Sequence, residues 1–140
     1  MESNFEKITI ETEVAAPISQ VWEMWNSPEH IVNWNAASED WHTTRASNEL
    51  KIGGSSSCTM EAKDGSMGFD FNWIYTAVES NKHLAYTLED NRKVVIDFSE
   101  ENGKVNIIQT FDAETENTLE LQRFGWQSIL NNFKKYVENN

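Results

Sequence analysis

Few side chains in this sequence are placed to do chemistry. The histidines are His30, His42 and His83, and the single cysteine is Cys58. A metal site needs imidazoles, thiolates or carboxylates at short, regular spacings, such as i and i+4 on one helix. The three histidines fall in different stretches without such spacing, so neither a metal nor a cofactor is expected. No Gly-x-Ser-x-Gly elbow, phosphate loop or dinucleotide fingerprint occurs. Gly53-Gly54 is followed by three serines but does not open a helix. Acid–base work by paired carboxylates needs two of them converging on one pocket with separated pKa values. Asp70 and Asp97 instead alternate out of phase with the aromatic rows, on a wet face. His42, next to Trp41, is the one candidate gate or proton donor. Without a placed partner it reads as a surface residue. Cys58 alternates inward beside Met60, where a thiol is ordinarily inert.

What the sequence concentrates is aromatic rings. It has six tryptophans, seven phenylalanines and three tyrosines in 140 residues. Gly68 to Val78 carries Phe69, Phe71, Trp73 and Tyr75 on one face, with Asp70, Asn72, Ile74 and Thr76 on the other. Inward strand positions are most often plain core. Rings on both sides of a curved sheet are harder to interdigitate without a void, so the same face could line a pocket. Tyr75 and Tyr86 bring hydroxyls that need partners if buried, and Gln109 is the one polar residue in phase with the inward row.

The elements that must position these rings are legible from periodicity. Phe5 to Ala15 alternates, with Ile8, Ile10, Thr12 and Val14 on one face, which predicts a strand. Pro17 suits the first turn of a helix carrying Ile18, Val21, Trp22 and Trp25. Ser27-Pro28 starts a second short helix with Ile31, Val32 and Trp34 on its apolar side, and Ser27 is the expected cap. Strands follow over Trp41 to Ser47, Ser55 to Lys63, Gly68 to Val78, His83 to Leu88 and Lys93 to Ser99. A last one carries Val105, Ile107, Gln109 and Phe111. Asp64-Gly65 and Asn102-Gly103 are hairpin signals. Asn117 to Asn140 reads as one long amphipathic helix, with Asn117 and Glu120 as a capping box. Leu119, Trp126, Ile129, Leu130, Phe133 and Val137 form its apolar stripe. Leu121 and Phe124 lie off that stripe and are expected to pack on the preceding loop; a dimer contact or a lip of the cavity is the alternative. The fold class is α+β: a curved antiparallel sheet wrapped around a long C-terminal helix, in a single domain spanning 1–140.

Net charge is −12 and the pI is near 4.5. That excludes a nucleic-acid backbone and an anionic membrane surface as natural partners, since both call for clustered Lys and Arg. One cysteine allows no internal disulfide, and Met1 to Lys7 is polar with no apolar signal region. No run is long enough to span a bilayer. A cytoplasmic protein is expected.

Three stretches together resemble a known family: Val14 to Trp22 with Trp34 beyond, Phe69-Asp70-Phe71 running into Tyr75, and Gly125 to Phe133. The sequence resembles the helix-grip superfamily, also called SRPBCC, of START lipid-transfer domains, the birch-pollen allergen and polyketide cyclases. Within it, the similarity is to the branch named after the activator of the heat-shock protein 90 ATPase. The resemblance implies a deep cavity between the last helix and the sheet, and leaves the ligand open because the fold hosts carriers, receptors, cyclases and co-chaperones. The eukaryotic activator has a separate N-terminal domain for chaperone contact, so chaperone contact by these 140 residues is not expected.

The expected cavity lining is Trp34, Trp41, Met60, Phe69, Phe71, Trp73, Tyr75, Tyr86, Phe98, Gln109, Trp126 and Leu130. The leading expectation is non-enzymatic binding of a small hydrophobic molecule, with Tyr75, Tyr86 and Gln109 orienting it. The alternatives are a cyclase or hydrolase of the same fold, or a co-chaperone-type interaction protein.

Overall fold

Alternation along the chain becomes one seven-stranded antiparallel sheet. The computed structural model describes residues 5–140, so the first four residues of the polar start lie outside it. The strands are β1 (Lys7–Val14), β2 (Trp41–Asn48), β3 (Ser55–Ala62), β4 (Gly68–Glu79), β5 (His83–Leu88), β6 (Lys93–Glu101) and β7 (Lys104–Asp112). Helices α1 (Ile18–Asn26) and α2 (Pro28–Trp34) follow β1, and α3 (Leu119–Glu138) ends the chain. The sheet order is β1-β7-β6-β5-β4-β3-β2, so all strands but β1 are joined as successive hairpins. Asn102 and Gly103 both have positive φ, at 55° and 78°, as a tight two-residue hairpin turn requires.

The sheet curls because two strands are kinked. Register shifts fall between Thr43 and Arg45 in β2 and between Tyr75 and Ala77 in β4. Such bulges bend a strand and deepen its twist. The concave face then wraps α3.

Helix α3 also closes one open edge of the sheet. Strand β1 pairs only with β7, which leaves every second carbonyl on its outer side unpaired. Arg123, Gln127 and Lys134 donate side-chain hydrogen bonds to the carbonyls of Thr9, Glu11 and Glu13 in turn. At the opposite edge α2 packs on β2. Thr43 donates to the Asn35 carbonyl at 2.6 Å, and Asn132 of α3 donates to the Trp34 carbonyl at 3.0 Å.

Three local expectations shift. The cap of α3 is Thr118, whose hydroxyl accepts from the Leu121 N–H at 3.1 Å, rather than Asn117. Ser27 does cap α2 by position, but its side chain makes no capping bond. Pro17 precedes α1, and the Ile18 N–H is satisfied by the Glu100 carboxylate at 2.9 Å.

The space between sheet and α3 divides along the helix. Its C-terminal half is a core of Phe133 and Val137 with Val14, Ile96 and Val105, all essentially inaccessible, and Leu130 stands at the boundary with the cavity. Phe98 belongs here, which corrects its expected place in the cavity. It is boxed in by Trp22 and Trp25, at ring separations of 5.4 and 5.6 Å. The N-terminal half of α3 does not fill its space.

Candidate functional site

Between the first half of α3 and strands β2–β5 and β7 lies a cavity of about 420 Å³. That is within the range that takes a small organic molecule. It is lined by every residue expected from the sequence except Phe98. Trp25, Ile31, Asn35, Asn48, Cys58, Gly125 and Ile129 also contribute.

Strand β4 supplies the main wall. Phe71, Trp73 and Tyr75 alternate inward, and Tyr86 of β5 lies beside them. Trp73 faces the Tyr86 ring at 5.4 Å, and Tyr75 meets it edge-on at 5.8 Å. Across the cavity, Trp126 is held by stacking on Phe111, with centroids 3.9 Å apart and planes within 9°. That ring pair fixes α3 on the sheet and leaves the other side of Trp126 toward Phe71, at 6.3 Å. Phe69 is half exposed and meets Trp41 at 6.0 Å, at the mouth of the cavity.

The polar lining is sparse and uncharged. Among the described residues, no Asp, Glu, Lys, Arg or His faces the cavity. Burial raises the Cys58 thiol pKa from 9.0 to about 11, so it is a neutral thiol at pH 7; Asn35 donates to its sulfur at 3.3 Å. Burial also raises both tyrosines, Tyr86 the more strongly, so their hydroxyls stay protonated. The Tyr75 hydroxyl is already committed: it donates to Asn48 Oδ1 at 2.7 Å, which also accepts from Ser56 at 2.6 Å. The Trp73 indole N–H stands close enough to the Tyr75 oxygen to lower its pKa, but is buried without a properly aligned acceptor. The Tyr86 hydroxyl and the Gln109 carboxamide make no side-chain hydrogen bond among the described residues. With the Trp73 N–H, they are polar groups left to meet a ligand.

The three histidines lie apart. His30 Nδ1 pairs with the Tyr136 hydroxyl at 2.7 Å and His83 Nδ1 with Asp97 at 2.6 Å. His42 is exposed on the rim of a separate polar hollow. Asp70 accepts from Thr59 on the outer face of the sheet. Among the described residues no group of His, Cys, Asp or Glu is arranged to hold a metal.

Leu121 and Phe124 correct an expectation. They are 57% and 71% exposed rather than packed on the preceding loop. Gln122 takes that place: its amide donates to the carbonyls of Glu114 and Asn117, at 3.1 and 2.9 Å, and its Oε1 accepts from the Glu114 N–H at 2.8 Å.

Of the lining residues outside the expected set, Asn48 is the one the local pattern hides most fully. It ends β2 beyond the bulge, where strict alternation no longer tells which side a residue faces. Gly125 and Ile129 could have been found: they flank Trp126 and Leu130 on the same helical stripe.

A curved sheet gripping a long C-terminal helix, with a cavity between them, defines the helix-grip class. Within that class the chain belongs to the Activator of Hsp90 ATPase homolog 1-like family, whose family model matches residues 15–138. The AHSA1-like protein of Aeromonas hydrophila is 47% identical over 96% of this chain and 93% of its own, with a TM-score of 0.90. A protein of Cytophaga hutchinsonii is 51% identical over the same shares, with a TM-score of 0.83. Protein NE0264 of Nitrosomonas europaea shares the fold at 16% identity, covering 95% of this chain and 94% of its own with a TM-score of 0.82. Comparison with curated proteins gives no match. Among the described residues, no helix is long and apolar enough to cross a membrane.

Proposed function

We propose that the protein binds a small, neutral, hydrophobic molecule in the cavity under α3. The observation that carries this reading is a void of about 420 Å³ walled by aromatic rings, with no charged side chain on it among the described residues. A charged ligand would lose its hydration there without gaining a counter-charge. The rings supply apolar area, and the Tyr86 hydroxyl and Gln109 carboxamide orient a ligand that carries an oxygen or nitrogen. Tyr75 acts differently from the sequence expectation, bracing the wall through Asn48. The same lining argues for a carrier or receptor over an enzyme. It offers no carboxylate pair, and its thiol and phenols hold their protons at neutral pH. The free thiol Cys58 fits a reducing compartment, and we place the protein in the cytosol.

The test is titration with the neutral fluorescent probe N-phenyl-1-naphthylamine. Wild type binds it and Trp73→Ala weakens binding by about tenfold, which equals 1.4 kcal/mol. The variant's thermal midpoint also falls, because the ring packs on Phe71, Tyr75 and Tyr86, so affinity is compared well below the midpoint, where the variant is folded. Equal probe affinity in the variant would place the ligand elsewhere.

A further inference from the structure

Gly125 is an anomaly in α3. It is the seventh residue of a 20-residue helix, where glycine costs stability relative to alanine. Two structural reasons could require it, and neither applies. Its backbone does not have the positive φ seen at Gly53, Gly65 and Gly103. Nor does anything approach closely: beyond its two chain neighbours and its own helix backbone, a Cβ built at Gly125 meets no atom within 4 Å. Gly54 is the contrast, since a Cβ there would sit 2.1 Å from the Glu49 carbonyl oxygen. The open space around Gly125 is the cavity itself, which it lines. Its neighbour Trp126 is locked on Phe111 and cannot swing across to fill that space. Phe124, on the other side, points out to solvent.

We propose that Gly125 is a specificity-determining residue for the cavity ligand, keeping a slot between the bare backbone of α3 and the ring wall of Phe71 and Trp73. The occupant is flat and neutral, a conjugated or aromatic ring system with one face on the helix backbone. This inference rests on the ligand-binding reading and adds which wall sets the ligand's thickness. A methyl group at position 125 narrows the slot without touching protein; a longer side chain fills it.

The experiment measures thermal midpoint and N-phenyl-1-naphthylamine affinity together for wild type, Gly125→Ala, Gly125→Leu and Phe124→Ser. The expected result for Gly125→Ala is opposite signs. Its midpoint rises by about 4 °C, as replacing a helix-interior glycine gives in a domain of this size. Its probe affinity falls about fivefold. Gly125→Leu folds and loses the probe, and Phe124→Ser binds within twofold of wild type. Gly125→Ala binding as tightly as wild type overturns the slot while leaving the cavity as a binding site. A lowered midpoint for Gly125→Ala also overturns it, because the glycine would then serve the fold. A wild type that takes up no probe removes the ligand-binding reading, and the slot with it.

Discussion

Replacing Asn48 by alanine strips out a polar hub that joins four elements. Its Oδ1 accepts from Tyr75 at 2.7 Å and from Ser56 at 2.6 Å, and its Nδ2 donates to the Asn26 carbonyl at 2.6 Å. The hub ties the end of α1 to β2, β3 and β4. Tyr75 and Ser56 are each 3% exposed, so their hydroxyls have little water to turn to. A hydrogen bond is worth about 1 kcal/mol net, and stranding a buried partner costs about 1–3 kcal/mol. Three bonds are lost and both hydroxyls lose their acceptor, although Ser56 still accepts from the Glu49 N–H, which gives roughly 2–3 kcal/mol for Asn48→Ala. Tyr75→Phe is the control. It removes one donor, but Asn48 Oδ1 keeps the Ser56 bond, so the cost is about 1 kcal/mol. The assay is equilibrium urea unfolding followed by tryptophan fluorescence, comparing midpoints at equal slope. Asn48→Ala within 1 kcal/mol of wild type, or Tyr75→Phe costing as much as Asn48→Ala, would refute the hub.

Two further outcomes follow from single positions. Gly54→Ala is expected to destabilise by about 2–3 kcal/mol, because its Cβ meets the backbone oxygens of Glu49 and Lys51 rather than a movable side chain; the same urea series checks it. Cys58, raised from 9.0 to about 11, has roughly 100-fold less thiolate at pH 7 than an unperturbed thiol, so iodoacetamide alkylation is slow and accelerates about tenfold per pH unit between pH 7 and 10. Because Cys58 lines the cavity, saturating N-phenyl-1-naphthylamine slows that alkylation; mass spectrometry of the modified protein reads both effects.

The strands and the long helix were legible because their apolar residues repeat cleanly at two and near 3.6. Phe69, Phe71, Trp73 and Tyr75 do share one face, and Trp126 does oppose them. Alternation gives a face but not a position along it. Phe98 therefore looked like a cavity residue, although α1 brings Trp22 and Trp25 down over that end of the sheet. Asn48 was hidden by the β2 bulge, a long-range feature of pairing that leaves no mark in the local pattern. The exposure of Phe124 follows from a polar side chain, Gln122, which hydrogen-bonds the preceding loop where an apolar contact was expected. The void itself is a property of packing: rings held apart by the Trp126–Phe111 stack and a bare Gly125 cannot be inferred from hydrophobicity.

Native mass spectrometry of the freshly purified protein, followed by solvent extraction, tests the central claim most directly. Ligand binding under α3 predicts a bound, neutral species of defined mass that is displaced by N-phenyl-1-naphthylamine and lost in Gly125→Leu. A bare protein mass, together with no uptake of that probe, would contradict it.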